Sequence, residues 1–378
     1  MKSSVSDSSS GQKIAILGGG LAGRLLAWRL ASRRNDQNST IDNGINTNTE
    51  IHIFEKGRLR PDLYESDKAA AFTAAAMISP LSELVASELE IYKLGQASLA
   101  LWPTWLEQLD CLQHFHQHGS LVLAHPNDLA ELRQFQRDLD FKLQQLPNEH
   151  SHPHSLYQDL QGQDQVAVFE PQIAAHFKQG LFLQGEAHID HHEVLAQLVQ
   201  QAQALGVQYH QNQALEVNDP ALAEFDLIFD CRGMGSNKTD KTLRGVRGEV
   251  IWLESKEIIL SRPIRLMHPR YKLYVVPKPN HQFIIGATEI ESEDRSPISL
   301  RSSMELMSAL YAINPAFAEA RIIAQDCNLR PAYIDNLPQI EQRISALDQP
   351  IISINGLYRH GYLIGPAIIE QAIEKAFL

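Results

Sequence analysis

Three glycines near the amino terminus have the spacing of a turn that binds phosphate groups. Gly18, Gly20 and Gly23 match G-x-G-x-x-G and follow an apolar run at 14–17, which predicts a buried strand. The first glycine permits a tight turn, the second lets the backbone approach a pyrophosphate, and the third lets the next helix pack on the strand. Amide groups at the start of that helix would face the phosphates. The motif predicts dinucleotide binding, and a plain strand-to-helix corner is the alternative.

An acidic residue follows at the end of the second predicted strand. In IHIFEK, Ile51 and Ile53 alternate with polar neighbours, and Glu55 stands where a carboxylate can hold a ribose hydroxyl. The usual spacing from the glycines is about 20 residues. The spacing here is longer because the polar run 34–49 is typical of a surface insertion. With Glu55 included, dinucleotide binding is favoured over the plain corner.

Composition indicates a globular protein that does not bind nucleic acid. The chain has 378 residues, enough for two domains, and a formal net charge of −12. That charge argues against general binding to nucleic acids or anionic membranes. The first residues lack the apolar segment of a secretory signal, and we find no apolar run of about 18 residues to span a membrane. Three cysteines without a close pair (Cys111, Cys231, Cys327) indicate a reducing compartment, and we expect the cytoplasm.

The order of the predicted elements indicates an α/β protein. We expect a Rossmann-like, doubly wound, mostly parallel sheet and an α+β domain with a large antiparallel sheet. The strand 225–230 ends in the glycine-rich turn CRGMGS, so the nucleotide-binding domain should return there, whereas the chain from 246 alternates like antiparallel strands. The predicted ranges are a disordered tail at 1–12, a discontinuous nucleotide-binding domain at 13–90, 165–240 and 325–378, and a substrate-binding domain at 91–164 and 241–324.

Several local elements are also predicted from periodicity. The small-residue run 69–80 favours a packed alanine helix over a segment that lies against a flat ligand. Helices are expected at 82–109 and 366–377, and a strand at 208–217.

Histidines gather in three places, at 114–118, 150–154 and 188–192. The i, i+2 spacing of His114, His116 and His118 suits neither one helix face nor the usual zinc pairings. We therefore expect solvated histidines and no metal site. Asp190 is expected to cap the helix that follows it.

Eight short motifs lie in order along nearly the whole chain: GGGLAG at 18–23, FEK at 54–56, AAAM at 74–77, RGEV at 247–250, YVVPK at 274–278, GATEIESED at 286–294, NLRPAYIDNLP at 328–338 and NGLYRHGYLIGP at 355–366. Together they resemble the FAD-dependent D-amino-acid-oxidase superfamily and, within it, the glycine oxidases of thiazole biosynthesis. The last four motifs are specific in combination, whereas the glycine motif alone is not.

The resemblance implies FAD, bound non-covalently, rather than NAD. It places Leu21 and Ala22 at the pyrophosphate, beside the three glycines, and Glu55 and Lys56 at the adenosine ribose. The other implied contacts are the backbone of Ala214 with adenine, Ala70, Ala71, Ala75, Ala76 and Met77 with the flavin, and His360, Gly361, Tyr362 and Leu363 along the isoalloxazine edge. Main-chain N–H groups at that edge could stabilise negative charge on the reduced ring.

The chain departs from the family pattern at two places. Ala76 stands where glycine oxidases commonly carry glycine, and its methyl group would crowd the approach of the backbone to the flavin. The turn CRGMGS differs from the usual small-residue version. Cys327 falls one position short of the cysteine that holds flavin covalently in the related sarcosine oxidases, so we expect it to be a buried, unreactive residue.

The resemblance also assigns the substrate contacts. Arg330 matches the arginine that binds the substrate carboxylate, a role that suits a planar guanidinium because it can bind bidentately. Tyr274 matches a tyrosine beside that carboxylate, although a core aromatic is an equal reading of its strand. Arg359 matches a residue at the flavin face. We expect no general base, because hydride transfer from Cα to flavin N5 depends on positioning and electrostatics.

The activity implied by the resemblance is the oxidation of small amines. We expect oxidative deamination of glycine, and of sarcosine or D-alanine, by O2 to give an imine or glyoxylate, ammonia and H2O2 for the thiazole branch of thiamine biosynthesis. A D-amino-acid dehydrogenase or another amine-oxidising flavoenzyme that does not use O2 is the alternative. A tRNA-modifying enzyme is disfavoured by the net charge, and a nucleotide-binding protein without turnover stays open. The family implies a homo-oligomer, usually a tetramer.

Overall fold

A computed structural model describes residues 11–35, 45–62, 65, 67–146, 156–270 and 273–377. Most of the predicted tail 1–12, the centre of the predicted insertion 34–49 and the histidines at 150–154 lie outside these residues. Among the described helices, none is long and apolar enough to cross a lipid bilayer.

The strands and helices alternate along the chain, as the sequence indicates. The strands are β1 (Lys13–Leu17), β2 (Glu50–Glu55), β3 (Met77–Ile78), β4 (Phe115–His116), β5 (Ser120–Ala124), β6 (Tyr157–Gln161), β7 (Gln179–Leu183), β8 (Ala187–Ile189), β9 (Gln208–Gln211), β10 (Leu227–Asp230), β11 (Arg244–Glu254), β12 (Ile264–Met267), β13 (Leu273–Lys278), β14 (Gln282–Gly286), β15 (Arg321–Ala332), β16 (Gln339–Ile344) and β17 (Pro350–Asn355). The helices are α1 (Leu21–Asn35), α2 (Pro80–Leu84), α3 (Leu89–Gln108), α4 (Leu129–Leu143), α5 (Gln163–Phe169), α6 (Pro171–Ala174), α7 (His191–Ala204), α8 (Leu300–Ile313) and α9 (Gly361–Phe377).

A six-stranded sheet forms the nucleotide-binding half of the fold. Its order is β16-β17-β10-β1-β2-β9, and every pair is parallel except β16–β17. The apolar residues of β1 are buried because both faces of the sheet are covered. On one face α1, α3 and α9 pack together around Trp28 and Trp105, whose rings meet edge to face at 5.4 Å.

An eight-stranded sheet forms the second half. Its order is β15-β11-β14-β13-β12-β5-β7-β6, and β5–β12 is its parallel pair. The long ladder between β11 and β15 makes one edge, and α8 packs against this sheet through Leu306, Leu310 and Ile313. A third, three-stranded sheet, β3-β8-β4, lies beside the two larger ones.

The alanine run does not form the predicted helix. Residues Ala70–Phe72 make one 3-10 turn, and the chain then extends into β3, where Met77 pairs with His188. Ala76 has a left-handed backbone with φ of 56°. Tertiary strand pairing therefore overrides the helical propensity of alanine.

Three other local predictions were wrong in extent. The helix predicted at 82–109 is split into α2 and α3, and the strand predicted at 208–217 ends at Gln211 because Asn212 turns the backbone to φ of 57°. The last helix begins at Gly361, so Pro366 lies inside it. The Tyr362 carbonyl, which Pro366 cannot bond, accepts a hydrogen bond from Trp102 Nε1 at 2.9 Å, and this partner makes the proline tolerable.

Sheet membership also differs from the predicted ranges. Strands β7 and β15 belong to the eight-stranded sheet although most of their residues fall in the ranges predicted for the nucleotide-binding domain. Conversely, α3 packs on α9, in the core of the six-stranded half. The division into two domains stays a prediction.

Candidate functional site

A cavity of about 960 Å³ is lined by residues of both large sheets, and its volume is near the upper end of the range of roughly 300–1,000 Å³ for ligand sites. Most of the residues assigned from the sequence line it: Gly18, Gly20, Leu21, Ala22, Glu55, Lys56, Ala70, Ala71, Ala75, Ala76, Met77, Ala214, Tyr274, Arg330, Arg359, Gly361, Tyr362 and Leu363. Gly23 and His360 are not among the residues that line the cavity.

The glycine turn lies at the carboxyl end of β1, where α1 begins. Gly18 has φ of 98°, and a Cβ there would lie 2.6 Å from the carbonyl oxygen of Cys231. A Cβ on Gly23 would lie 1.9 Å from the Gly18 carbonyl oxygen, so this glycine lets α1 pack on the turn. A Cβ on Gly20 would meet only Ala69. The backbone at Gly20 therefore stays open to the cavity at a helix N-terminus, a position that favours phosphate.

Glu55 lies at the same end of the cavity, at the end of β2. Its Oε2 accepts a hydrogen bond from the Gly19 N–H at 2.5 Å, and its Oε1 accepts one from the Gly57 N–H at 2.9 Å. Lys56 points outward into an ion pair with Asp67 at 2.7 Å. The carboxylate of Glu55 is thus fixed in the cavity wall, whereas Lys56 is half exposed.

A buried polar network fixes the alanine segment that lines the middle of the cavity. Lys68 Nζ pairs with Asp326 Oδ2 at 3.1 Å, and the Thr73 hydroxyl donates to the same oxygen at 2.8 Å. Asn328 Nδ2 donates to the Lys68 carbonyl at 3.0 Å and to Thr73 Oγ1 at 3.2 Å. The segment is therefore tied to β15, a tie that local sequence patterns do not reveal because the partners are far apart in the chain.

Arg330 and Tyr274 come together at the far end of the cavity, on strands of the eight-stranded sheet. The Arg330 guanidinium lies over Gly248, where a Cβ would approach Nη2 to 2.4 Å, and it donates to the Thr288 carbonyl at 3.0 Å. Tyr274 is paired in register with Gly286, and its hydroxyl would lie 3.0 Å from a Cβ there. Desolvation raises the pKa of Tyr274, so the hydroxyl stays a donor. Both glycines make room for the two side chains.

Arg359, the other cavity arginine that was assigned from the sequence, is already ion-paired. Arg359 Nε lies 2.9 Å from Glu83 Oε2, and its Nη1 lies 2.7 Å from Glu289 Oε2. Arg265 Nη2 reaches Glu83 Oε1 at 3.0 Å. Burial opposes ionisation of Glu83, but Arg359, His360 and Arg265 outweigh it and hold the pKa of this carboxyl well below its usual range. Glu83 is a site residue that the sequence analysis missed, because it reads there as one more polar helix position.

His360 differs from its predicted role. Its ring is 2% exposed, and Nε2 lies 3.2 Å from Glu83 Oε2. Its backbone N–H donates to the Leu357 carbonyl at 2.9 Å, so this amide is not free to face a ligand. Gly361, Tyr362 and Leu363 do line the cavity, and the Tyr362 hydroxyl donates to the Ala71 carbonyl at 3.0 Å.

Cys327 is only half-buried, and not fully buried as expected. Cys327 lies outside the cavity lining of the described chain, and its Sγ is 3.0 Å from the Ser296 carbonyl oxygen. Cys231 is buried where the turn CRGMGS begins, and burial raises its pKa. All three cysteines are free thiols.

The histidines at 188–192 are not solvated as expected, whereas His118 in the group at 114–118 is exposed. His188 and His191 are 3% and 1% exposed, and burial lowers the pKa of both well below the usual range. Asp190 occupies the N-cap position of α7, but its side chain does not cap the helix. Instead its carboxylate contacts His114 and His116.

Comparison with known proteins identifies the class. A family model described as DAO, FAD dependent oxidoreductase, matches residues 13–374. The chain therefore belongs to this family of FAD-dependent oxidoreductases, and FAD is its cofactor. The residues present fit it, because the open backbone at Gly20, the fixed Glu55 and the small-residue segment leave a continuous cavity.

Individual relatives narrow the class further. A Rhizobium etli protein named thiamine biosynthesis oxidoreductase ThiO is 36% identical over 305 residues, with 80% of this chain and 83% of the relative covered. A glycine oxidase of Geobacillus kaustophilus is 21% identical over 404 residues, with 96% and 93% covered. The solved glycine oxidase of Bacillus cereus has the same fold, with a TM-score of 0.72, 18% identity, and 96% and 94% of the two chains covered. The chain is thus an FAD-dependent oxidoreductase of the glycine oxidase and ThiO type, and the predicted fold class is confirmed.

Proposed function

We propose that this enzyme oxidises glycine and other small amino acids, including sarcosine and D-alanine, and that Arg330 binds their carboxylate. The observation that supports this most directly is the state of Arg330. It lines the cavity, it hydrogen-bonds only to carbonyl oxygens, and no carboxylate of the described chain pairs with it. A guanidinium in this state favours an anionic ligand, and the Tyr274 hydroxyl can donate to the same anion.

The charges around Arg330 favour a substrate with one carboxylate. Arg265 and Arg359 also line this end of the cavity, but Glu83 and Glu289 offset their positive charge. Arg330 has no carboxylate partner among the described residues, so its charge is free to bind a substrate anion. A second acidic group on the substrate would approach Glu83, which stays ionised, and would be disfavoured.

The protein's part in the reaction is to position the substrate. Bound FAD supplies the electron acceptor, which takes two electrons and the Cα hydrogen from the substrate. Arg330 and Tyr274 would fix the carboxylate, so that the amine and the Cα–H face the alanine segment across the cavity. The substrate amine must be neutral when it is oxidised, and we assign no side-chain base to this proton.

We further propose O2 as the final electron acceptor. With glycine the products would be an imine, which hydrolyses to glyoxylate and ammonia, and H2O2. The name of the Rhizobium etli relative supports a role in thiamine biosynthesis, and we propose the thiazole branch. A dehydrogenase that passes electrons to another acceptor is the second candidate. Location in the cytoplasm, non-covalent attachment of FAD and assembly as a homo-oligomer stay predictions.

The first test is the visible spectrum of the purified protein without oxygen, before and after glycine is added. Bleaching of the flavin band by glycine would support amine oxidation. Formation of H2O2 on admission of air would then favour the oxidase over the dehydrogenase. A flavin band that glycine leaves unchanged would reject the glycine assignment, and the larger D-amino acids would be tested next.

A further inference from the structure

Two short antiparallel strands place four side chains that can bind a metal on one face, away from the cofactor cavity. His116 on β4 is paired in register with His188 on β8. The Asp190 N–H donates to the His114 carbonyl at 3.0 Å, so these two residues are also opposite each other. Residues two apart in a strand point to the same side, so the H-x-H and H-x-D patterns converge.

The side-chain atoms are close enough to share one ion. His116 Nε2 lies 2.9 Å from Asp190 Oδ2, and His114 Nδ1 lies 3.3 Å from the same oxygen. One ligand atom each from His116, His188 and Asp190 lie within 4.8 Å of one another. Ligands at about 2.0–2.2 Å from Zn²⁺ lie roughly 3–4 Å apart, so small side-chain rotations would complete the site.

Two buried polar atoms in this cluster point to a missing ligand. His188 is 3% exposed and Asp190 is 5% exposed. Among the described residues, neither His188 Nδ1 nor Asp190 Oδ1 has a hydrogen-bond partner. Buried polar atoms are usually paired, and a cation would satisfy the carboxylate oxygen and an imidazole nitrogen together. The His116 side chain is 31% exposed, which gives an ion access from solvent.

We propose that His116, His188 and Asp190 bind one divalent transition-metal ion of the Zn²⁺ type, and that His114 holds the Asp190 carboxylate in place. Imidazole and carboxylate are the donors that such ions prefer. Lys278 Nζ donates to the Ile189 carbonyl at 2.5 Å, between two ligands, so a buried amine adjoins the site. This amine should make binding weaker than in all-cysteine zinc sites.

The proposed ion is structural rather than catalytic. None of its three ligands lines the cofactor cavity of the described chain. It would instead join β4 to β8, whose His188 is paired with Met77, a residue of the cavity wall. The proposal is therefore independent of which amine the enzyme oxidises.

The test is a Zn²⁺ titration of the full-length holoprotein after treatment with a chelator, by calorimetry and by competition with a chromogenic chelator. We expect one equivalent of Zn²⁺ to bind to the wild type. His116→Ala and Asp190→Asn should each weaken binding by at least about tenfold. His118→Ala is the matched control, because His118 continues the same histidine run but is exposed and bonds to the Ser261 carbonyl.

Flavin content and circular dichroism would show that each variant is folded. Absence of stoichiometric binding to the wild type would overturn the proposal. Binding to either His116→Ala or Asp190→Asn as tight as that of the wild type would also overturn it. An equal loss in His118→Ala would assign the binding to the surface histidines instead.

Discussion

At the scale of single residues, the substrate end of the cavity depends on the contrast between two arginines. Arg330 bonds to backbone carbonyls, whereas Arg359 is held by Glu83 and Glu289. The resemblance assigns the carboxylate to Arg330 and the flavin face to Arg359. The ion pairs of Arg359 support this proposed division of roles, because they leave Arg330 as the better candidate for the carboxylate.

Replacing Arg330 should therefore impair substrate binding far more than folding. We expect Arg330→Ala to lower kcat/KM for glycine by roughly 30- to 1,000-fold, or about 2–4 kcal/mol, because a charge-assisted contact is lost. Arg330→Lys should be intermediate, since it keeps the charge but not the bidentate geometry. Steady-state kinetics checks this, with the exposed Arg321→Ala on the same strand as control. Equal losses in the two alanine variants would contradict the assignment.

Glu83 should control the preference for monocarboxylic substrates. In Glu83→Gln the charge of Arg265 loses its carboxylate partner and Arg359 keeps only Glu289, so the ratio of kcat/KM for D-aspartate to that for D-alanine should rise by about tenfold. Competition between the two substrates measures this ratio. Glu88→Gln, an exposed change just after α2, should leave it unaltered. A ratio that does not change in Glu83→Gln would remove Glu83 from the specificity argument.

The same carboxylate predicts a pH dependence of stability. Because the pKa of Glu83 is held well below 4.5, its ionised form stabilises the fold above that pH, and this contribution is lost as the pH falls through the folded-state pKa. The excess free energy of unfolding of the wild type over Glu83→Gln should thus shrink on acidification. Urea unfolding of both proteins at neutral pH and at about pH 4 measures it. A difference that grows in acid would contradict the ion pairing.

At the scale of elements, the alanine segment owes its shape to contacts from other parts of the chain. Ala75 and Ala76 are equally buried, at 4% exposed, yet only Ala76 of the two has a left-handed backbone. The left-handed backbone at residue 76 therefore adds a local reason why glycine would suit this position better than alanine. An L-residue other than glycine in this conformation costs about 1–2 kcal/mol.

Glycine substitutions at these neighbouring positions should have different effects. Ala75→Gly should lower the free energy of unfolding by about 0.5–1 kcal/mol, since it adds chain entropy to the unfolded state. Ala76→Gly should lower it less or raise it, because relief of the left-handed strain offsets the same entropy. Denaturant unfolding of the two variants compares them directly. Equal destabilisation by the two changes would show that Ala76 is unstrained.

A single substitution can remove the ion pair that joins the alanine segment to β15. Lys68 and Asp326 have side chains only 3% and 7% exposed. Asp326→Asn removes one carboxylate from a buried ion pair, a change that typically costs about 3–5 kcal/mol. We expect that loss of stability together with weaker FAD binding, measured by unfolding and by fluorescence titration of the FAD-free protein. Asp294→Asn, at an exposed position between β14 and α8, is the control. An unchanged FAD affinity would separate this pair from the cofactor site.

At the scale of the whole molecule, the cofactor cavity is lined by residues of both large sheets. FAD bound there should stabilise both halves together. At a free FAD concentration about 100 times Kd, the folded state gains about 2.7 kcal/mol. The melting temperature should thus rise with FAD concentration in calorimetry, for the wild type and for Arg330→Ala alike. A transition that FAD leaves unmoved would contradict preferential binding of FAD to the folded protein.

Local patterns in the sequence are enough to predict the features that involve only a few neighbouring residues. The glycine turn, the strands 13–17 and 50–55, and the acidic residue at the end of the second strand follow from spacing and periodicity within short windows. The eight motifs, in their order along the chain, then predicted the family, its fold class and its cofactor. These features are readable because each depends on backbone requirements of a few neighbouring residues.

Other features arise where distant parts of the chain contact each other, and these are visible in the folded structure but not in local sequence patterns. The alanine run became a turn and a strand through pairing with β8, and Glu83 became a site residue by meeting Arg265 and Arg359. The histidines, which looked solvated, converge because β4 and β8 pair in one register. In each case the side-chain surroundings come from residues far away in sequence, and no local propensity or periodicity encodes such a pairing.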